Sequence, residues 1–234
     1  MSDRKQALIV GAGPGLSTAM ARALAADGWQ VQLAARDAGK LAKLCEETGA
    51  VAHSCDVADP AQVAGLFDDL DRTTGAPGFV LFNPSMRVRG PVTGIDPAEV
   101  LKALTISAFG GFLVAQQAAR RMQKAGGGAI FFTGASASVK GYPNSSSFAM
   151  NKFALRGLAQ SLARELQPQN IHIAHFIIDG GIAADHRDGR QNSKDAPDRF
   201  LEPDAIAQTY MAVLKQPRSA WTWEVELRPW VENF

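Results

Sequence analysis

The stretch Ala7-Leu8-Ile9-Val10-Gly11-Ala12-Gly13-Pro14-Gly15-Leu16-Ser17-Thr18-Ala19-Met20 constrains this chain more than any other. An apolar run of strand length ends in a glycine turn, and apolar residues at helical spacing, Met20 and Leu24, follow at once. Glycines at 11, 13 and 15 let the backbone turn tightly and approach a ligand with no Cβ in the way. The unpaired N–H groups that open the next helix face whatever lies above the strand end, a place that suits an anion such as a pyrophosphate. Glycine turns also join strands to helices for structural reasons alone. Here the turn follows the first strand and opens a helix within a unit of roughly thirty residues, the context a dinucleotide fingerprint requires.

The remaining chain repeats this alternation. Strands are expected at Trp29–Ala35, Val51–Val57, Phe79–Phe82, Ala129–Thr133, His172–Ile178 and Ala220–Leu227. Helices are expected over Lys40–Glu47, from Pro60, from Pro97 through Val100, Leu104, Phe112 and Met122, over Ser146–Leu166, and over Pro203–Lys215. Asp59 and Asp96 are placed as N-caps, each followed by Pro at the first helical position and by Gln62 or Glu99 where a capping box needs it. Phe79-Val80-Leu81-Phe82 is apolar without interruption, as a strand buried on both faces must be. The expected fold class is therefore α/β: one Rossmann-type doubly wound domain over residues 1–234, with a seven-stranded parallel sheet flanked by helices. Residues 183–200 are polar and aperiodic, and a loop of that length in a compact domain reads as a lid.

Composition narrows the function classes. With 24 basic and 23 acidic residues among 234, no excess of charge calls for nucleic acid or an anionic membrane. No apolar run reaches the roughly 20 residues of a membrane span. The chain enters its first strand without a signal-peptide core, so a cytoplasmic protein with a small-molecule substrate is expected. Cys45 and Cys55 lack metal-ligand spacing, and the four His are scattered, so no metal site is expected.

Taken together, the glycine turn, the strand end Ala35-Arg36-Asp37, Asp56-Val57, the Ser-rich end of the fifth strand and Lys152 on the following helix resemble the short-chain dehydrogenase/reductase family. The turn is similar to that family's Gly-x-x-x-Gly-x-Gly, with Gly11 and Gly15 kept and Ser17 in place of the last glycine. The resemblance implies a nicotinamide dinucleotide held by Gly11, Gly13, Pro14, Gly15 and Leu16 at the pyrophosphate, and by Asp56 and Val57 beside the adenine. It assigns further cofactor contacts to Asn83, Lys152, Gly180 and Ile182, although Pro84-Ser85 and Asp179-Gly180 depart from the usual Asn-Asn-Ala-Gly and Pro-Gly. An acidic residue at the end of the second strand favours a ribose 2′-hydroxyl, and a basic one favours a 2′-phosphate. The acidic position is Ala35 and the basic one Arg36, so the expected cofactor is NADP, with NAD as the alternative because Asp37 stands next door.

The catalytic residues depart further. The family's Tyr and Lys lie four apart on one helix; here Lys152 matches, and Phe148 occupies the Tyr position. Phenylalanine carries no ionisable group and cannot transfer a proton. The family's Ser falls at Ala135, with Ser136 one residue away, and its Asn is replaced by Ser107. Three readings stay open. The protein is an oxidoreductase acting on a carbonyl or alcohol, its proton supplied by Tyr142, Ser136, His186 or a water held by Lys152. Alternatively it is a binding or regulatory protein that holds the dinucleotide without redox chemistry, or a lyase or isomerase on the same fold. Trp221, Trp223 and Trp230 near the last strand are expected to bury at the interface of a homodimer or homotetramer.

Overall fold

In the computed structural model, which describes residues 5–184 and 189–232, β1 (Gln6–Val10) is the sheet's reference strand. It pairs in parallel with β2 (Gln30–Ala35) on one side and β4 (Phe79–Phe82) on the other. Outside these lie β3 (Val51–Ser54), β5 (Gly128–Thr133), β6 (Ile171–Ile178) and β7 (Glu224–Leu227), giving the parallel order β3-β2-β1-β4-β5-β6-β7. The chain winds outward from β1 in one direction and then returns to continue in the other. That reversal opens a crevice at the carboxyl ends of β1 and β4.

Both sheet faces are covered. On one, α1 (Leu16–Ala26), α2 (Ala42–Thr48) and α7 (Pro203–Leu214) bury Met20, Leu24, Leu44, Ile206 and Tyr210 against Ile9, Phe79, Phe131 and Phe176. On the other, α3 (Pro60–Thr73), α5 (Gly110–Ala125) and α6 (Ser146–Leu166) bury Phe67, Val114, Met122 and Leu155 against Leu8, Val80, Phe82 and Phe132. Each of the central strand residues alternates between these two layers, so the uninterrupted apolar runs serve both faces at once.

Several expectations need correction. The third strand stops at Ser54 because Cys55 and Asp56 turn toward the cap of α3, where the Asp56 N–H donates to Gln62 Oε1 at 2.9 Å. Gln62 thus serves the strand end, not the Asp59 N–H. Asp59 itself caps α3 through the Ala61 and Gln62 N–H groups, and Asp96 caps α4 (Pro97–Leu104) through Ala98. The long helical run Pro97–Ala125 is interrupted by a π turn, Thr105–Phe109. By length and composition that run is apolar enough to cross a membrane, but it buries Ala103, Val114, Ala115, Ala118 and Met122 in the fold.

The last strand is shorter than its apolar alternation implies. Gln216 accepts the Thr222 N–H at 2.7 Å and donates to the Thr222 hydroxyl at 2.8 Å, so Thr222 bonds to Gln216 and the pairing with β6 begins only at the Trp223 carbonyl, which accepts the His175 N–H at 2.8 Å. Trp221 stacks on His172 at 4.6 Å, and Trp223 lies beneath the Arg156 guanidinium. Trp221 and Trp223 are therefore half-buried within the chain, and Trp230 stands in solvent at 78% exposure. Other exposed apolar groups lie at Leu101, Phe109, Phe112, Met150 and Phe153, on the α4 to α6 side.

Candidate functional site

A cleft of about 1000 Å³ opens above the carboxyl ends of the strands. Gly11, Ala12, Gly13 and Pro14 form its floor, Arg36, Asp37 and Lys40 one end, Asp56 and Val57 a wall, and Asn83 to Met86 the other end. The Gly11 and Ala12 N–H groups both donate to Ala34 O, at 2.9 and 3.0 Å, folding the turn over β2. Gly11 has φ +79°, and a Cβ there would stand 2.6 Å from the Pro84 nitrogen, so this position admits only glycine. Over Gly13 and Gly15 the space is open. Gly15 begins α1 without a side-chain cap, and the first turn holds no acidic residue, so the leading N–H groups remain available to an anion.

Ser17 explains how the turn survives without its last glycine. The side chain is buried, donates to Gly11 O at 3.0 Å and accepts from Asn83 Nδ2 at 2.8 Å, while Thr18 donates to Gly13 O at 3.0 Å. Asn83 is thus a brace between β4 and the turn. At the opposite end Arg36 has no acidic partner among the described residues, whereas Asp37 is engaged by Lys40 at 3.2 Å. Asp56 accepts the Ala58 N–H at 3.0 Å and presents its remaining oxygen beside the cleft. Leu16 packs into the core at the start of α1. Gly180 and Ile182 stand outside the cleft lining: Gly180 lies against Pro229 and Leu201, and Ile182 bridges to Leu201.

The other half of the site is built by β5, β6 and α6. Lys152 is buried and its Nζ donates to Thr133 O at 2.8 Å. Burial alone lowers its pKa from 10.5 to about 8, where an amine can give or take a proton near neutral pH. One turn earlier, the half-buried Phe148 ring has its centroid 6.0 Å from that Nζ. Ser136 opens a short turn, half-buried, and its hydroxyl has no hydrogen-bond partner among the described residues. Tyr142 is exposed in the loop before α6, and His186 lies outside the described residues. Ser107 Oγ accepts the Met86 N–H at 3.0 Å, so this hydroxyl is committed to the backbone after β4.

Sequence reasoning missed a buried chain beneath this floor. Ser138 Oγ meets His175 Nε2 at 3.3 Å, His175 Nδ1 meets Glu224 Oε2 at 3.1 Å, and Arg156 holds Glu224 through two bonds of 2.6 and 2.8 Å. Burial pushes His175 down to about 4 despite the carboxylate beside it. Arg87, whose guanidinium carbon lies 4.7 Å from the Phe148 centroid, was missed as well. The only sequence signal for it was two arginines at alternate positions, 87 and 89, just after a buried strand.

A doubly wound parallel sheet with a glycine-floored cleft at its switch point defines a dinucleotide-binding α/β protein. Residues 5–194 match the family described as short chain dehydrogenase, and the chain belongs to that family. It is similar to the 3-oxoacyl-[acyl-carrier-protein] reductase MabA of Mycobacterium tuberculosis, 28% identical over 181 residues that cover 77% of this chain and 70% of that protein. Among solved structures, a short-chain dehydrogenase from Rhodopseudomonas palustris superposes with a TM-score of 0.83 at 32% identity, covering 97% of this chain and 99% of that one. A metagenomic short-chain oxidoreductase in complex with NADP has the same fold, with a TM-score of 0.82 at 24% identity over 96% and 97% of the two chains. General nicotinamide-dependent oxidoreduction is the chemistry of this family.

Proposed function

We propose that this protein is an NADP-dependent oxidoreductase acting on a carbonyl or alcohol of a small molecule, in a single domain spanning residues 1–234 with residues 183–200 as its lid. One observation supports the reading: the open glycine cradle runs from Arg36, with no acidic partner among the described residues, at one end toward the buried Lys152 beyond the other. Gly11, Gly13, Pro14 and Gly15 with the α1 N-terminus hold the pyrophosphate, Asp56 and Val57 flank the adenine, and Asn83 fixes the turn. Arg36 pairs with a ribose 2′-phosphate, which favours NADP over NAD. When bound, the dinucleotide supplies the hydride donor or acceptor.

Phe148 occupies the family's Tyr position, so the proton moves by another route. Lys152 holds it, and the Ser136 hydroxyl, without a hydrogen-bond partner among the described residues, passes it to the substrate oxygen. A second reading, a dinucleotide-binding protein without redox turnover, is favoured by the bond that keeps Lys152 Nζ on Thr133 O. The protein acts in the cytoplasm and associates into a homodimer or homotetramer through the exposed apolar side chains of the α4 to α6 face. Calorimetric titration with NADPH and NADH, followed by NADPH oxidation with a panel of aldehydes and ketones, tests the main reading. Tighter NADPH binding with turnover supports it; binding without turnover on any carbonyl selects the second reading, and no binding of either dinucleotide removes both.

A further inference from the structure

Above the Phe148 ring the structure builds an arginine into a fixed place. The backbone of Met86 is clamped from both sides by fully buried groups: Ser107 Oγ accepts its N–H at 3.0 Å, and Asn151 Nδ2 donates to its carbonyl at 3.3 Å. The next residue is Arg87. Its guanidinium lies on the face of Phe148 at 4.7 Å and donates from Nη2 to Ser145 Oγ at 3.2 Å. The Gly90 N–H then donates to Asn144 O at 3.1 Å, pinning the far end of the same segment to the loop before α6. Five contacts from three elements therefore hold one guanidinium in place next to the cleft's Ser85 and Met86 end.

Among the described residues, Arg87, Arg89 and Arg190 have no carboxylate partner, although ion pairs are common elsewhere in the chain. Burial lowers the Arg87 pKa, and the charges of Arg89 and Arg190 lower it further, which is the mark of like charges held together. Arg190 arrives from the segment after β6, its carbonyl fixed by the Ala184 N–H at 2.8 Å. Like charges gathered without a counter-ion repel, and a ligand anion relieves the repulsion. A planar guanidinium with free N–H groups suits a carboxylate or a phosphate, which accept two parallel hydrogen bonds.

We infer that Arg87, supported by Arg89 and Arg190, forms an anion subsite that binds a carboxylate or phosphate carried by the substrate, on the Phe148 side of the cleft. The inference rests on the oxidoreductase reading for the word substrate, but the anion subsite itself does not need that reading. It narrows the substrate class to oxo or hydroxy acids and phosphorylated carbonyl compounds. Phe148 serves as the platform on which the guanidinium lies, and this gives the aromatic side chain a role that needs no hydroxyl.

The test titrates protein saturated with NADPH, and protein without it, using acetoacetate, its uncharged methyl ester, and inorganic phosphate. Acetoacetate should bind at least about tenfold tighter than the ester, and Arg87→Ala should remove that preference while leaving NADPH affinity unchanged; Arg87→Lys should restore it in part. Phosphate bound in place of acetoacetate, with the same loss in Arg87→Ala, assigns the phosphorylated class. Equal binding of acid and ester, no binding of either anion, or anion binding unaffected by Arg87→Ala each overturns the subsite. Failure of NADPH to bind, with anion binding intact in the cofactor-free protein, would instead remove the oxidoreductase reading and leave the subsite standing.

Discussion

The two ends of the cleft are made of different materials. The glycine end is backbone: a turn with φ +79° and +92°, open space above Gly13, and a helix N-terminus without a side-chain cap. The α6 end is side chain: Lys152, Phe148, Ser136 and Arg87, each held or left free by specific hydrogen bonds. Backbone recognition depends on a few glycines and tolerates the Ser17 replacement, because a small hydroxyl can stand in by bonding Gly11 O. Side-chain chemistry is less tolerant, since a proton donor must be both ionisable and correctly placed. Binding is thus expected to outlast catalysis when a chain of this fold diverges.

The substitution with the largest expected effect tests the side-chain end. Phe148→Tyr adds a phenol one turn from Lys152, and a rise in carbonyl reduction of the roughly 10²- to 10⁴-fold typical of a general acid would mean that the natural protein lacks a proton donor, as the second reading holds. A steady-state assay in NADPH reads this. An unchanged rate with measurable wild-type turnover assigns the proton to another donor, and Ser136→Ala should then abolish it.

Next comes the glycine end. Arg36→Ala should weaken NADPH binding by about 1.5–3 kcal/mol and leave NADH nearly unchanged, because only the 2′-phosphate offers a charged partner. Calorimetry with both dinucleotides decides it, and equal losses would erase the distinction between them at this end.

Lys152→Met sharpens the contrast through stability. A folded-state pKa lowered from 10.5 to about 8 means the charged form is disfavoured by folding, at a cost of about 3 kcal/mol below pH 8. Losing the bond to Thr133 O offsets about 1 kcal/mol, so the variant should gain about 2 kcal/mol at pH 7. The wild-type penalty is relieved as pH rises from about 8 toward 10.5, and the gap should close over that window in urea titrations. A gap independent of pH would mean that Lys152 titrates alike in the folded and unfolded chain and stays well solvated.

The smallest effect concerns His175. Its pKa of about 4 lies below the ordinary 6.5, so the unfolded chain binds the proton first and stability falls as pH drops through that interval. Wild type should lose about 1 kcal/mol between pH 6.5 and 5.5 from this group, and the His175→Gln slope should be shallower by that amount.

Much of the fold was legible because apolar runs and glycine stops are local signals. Phe79–Phe82 and Ile171–Ile178 announce central strands through composition alone. The π turn at Thr105–Phe109 and the shortened β7 were not legible, since each depends on a partner distant in sequence or on helix register. Trp221 stacks on His172, about fifty positions earlier, a contact that no local pattern announces. In the site, the glycine turn and Arg36 were readable from spacing. Arg87 and His175 were not, because their roles come from groups on α6 and β7 that only the folded chain brings together.

Gly11 and Pro84 deserve a last consequence. The Cβ that Gly11 lacks would strike the Pro84 nitrogen, and Pro84 begins the segment that carries Met86 and Arg87. The floor beneath one ligand and the arm reaching toward the other thus share a single joint. Exchanging Gly11 in a redesign would be penalised whatever residue stands at 84, because the close contact is to a backbone nitrogen and the φ is positive, so transplanting the 84–90 segment between relatives requires the glycine turn to travel with it.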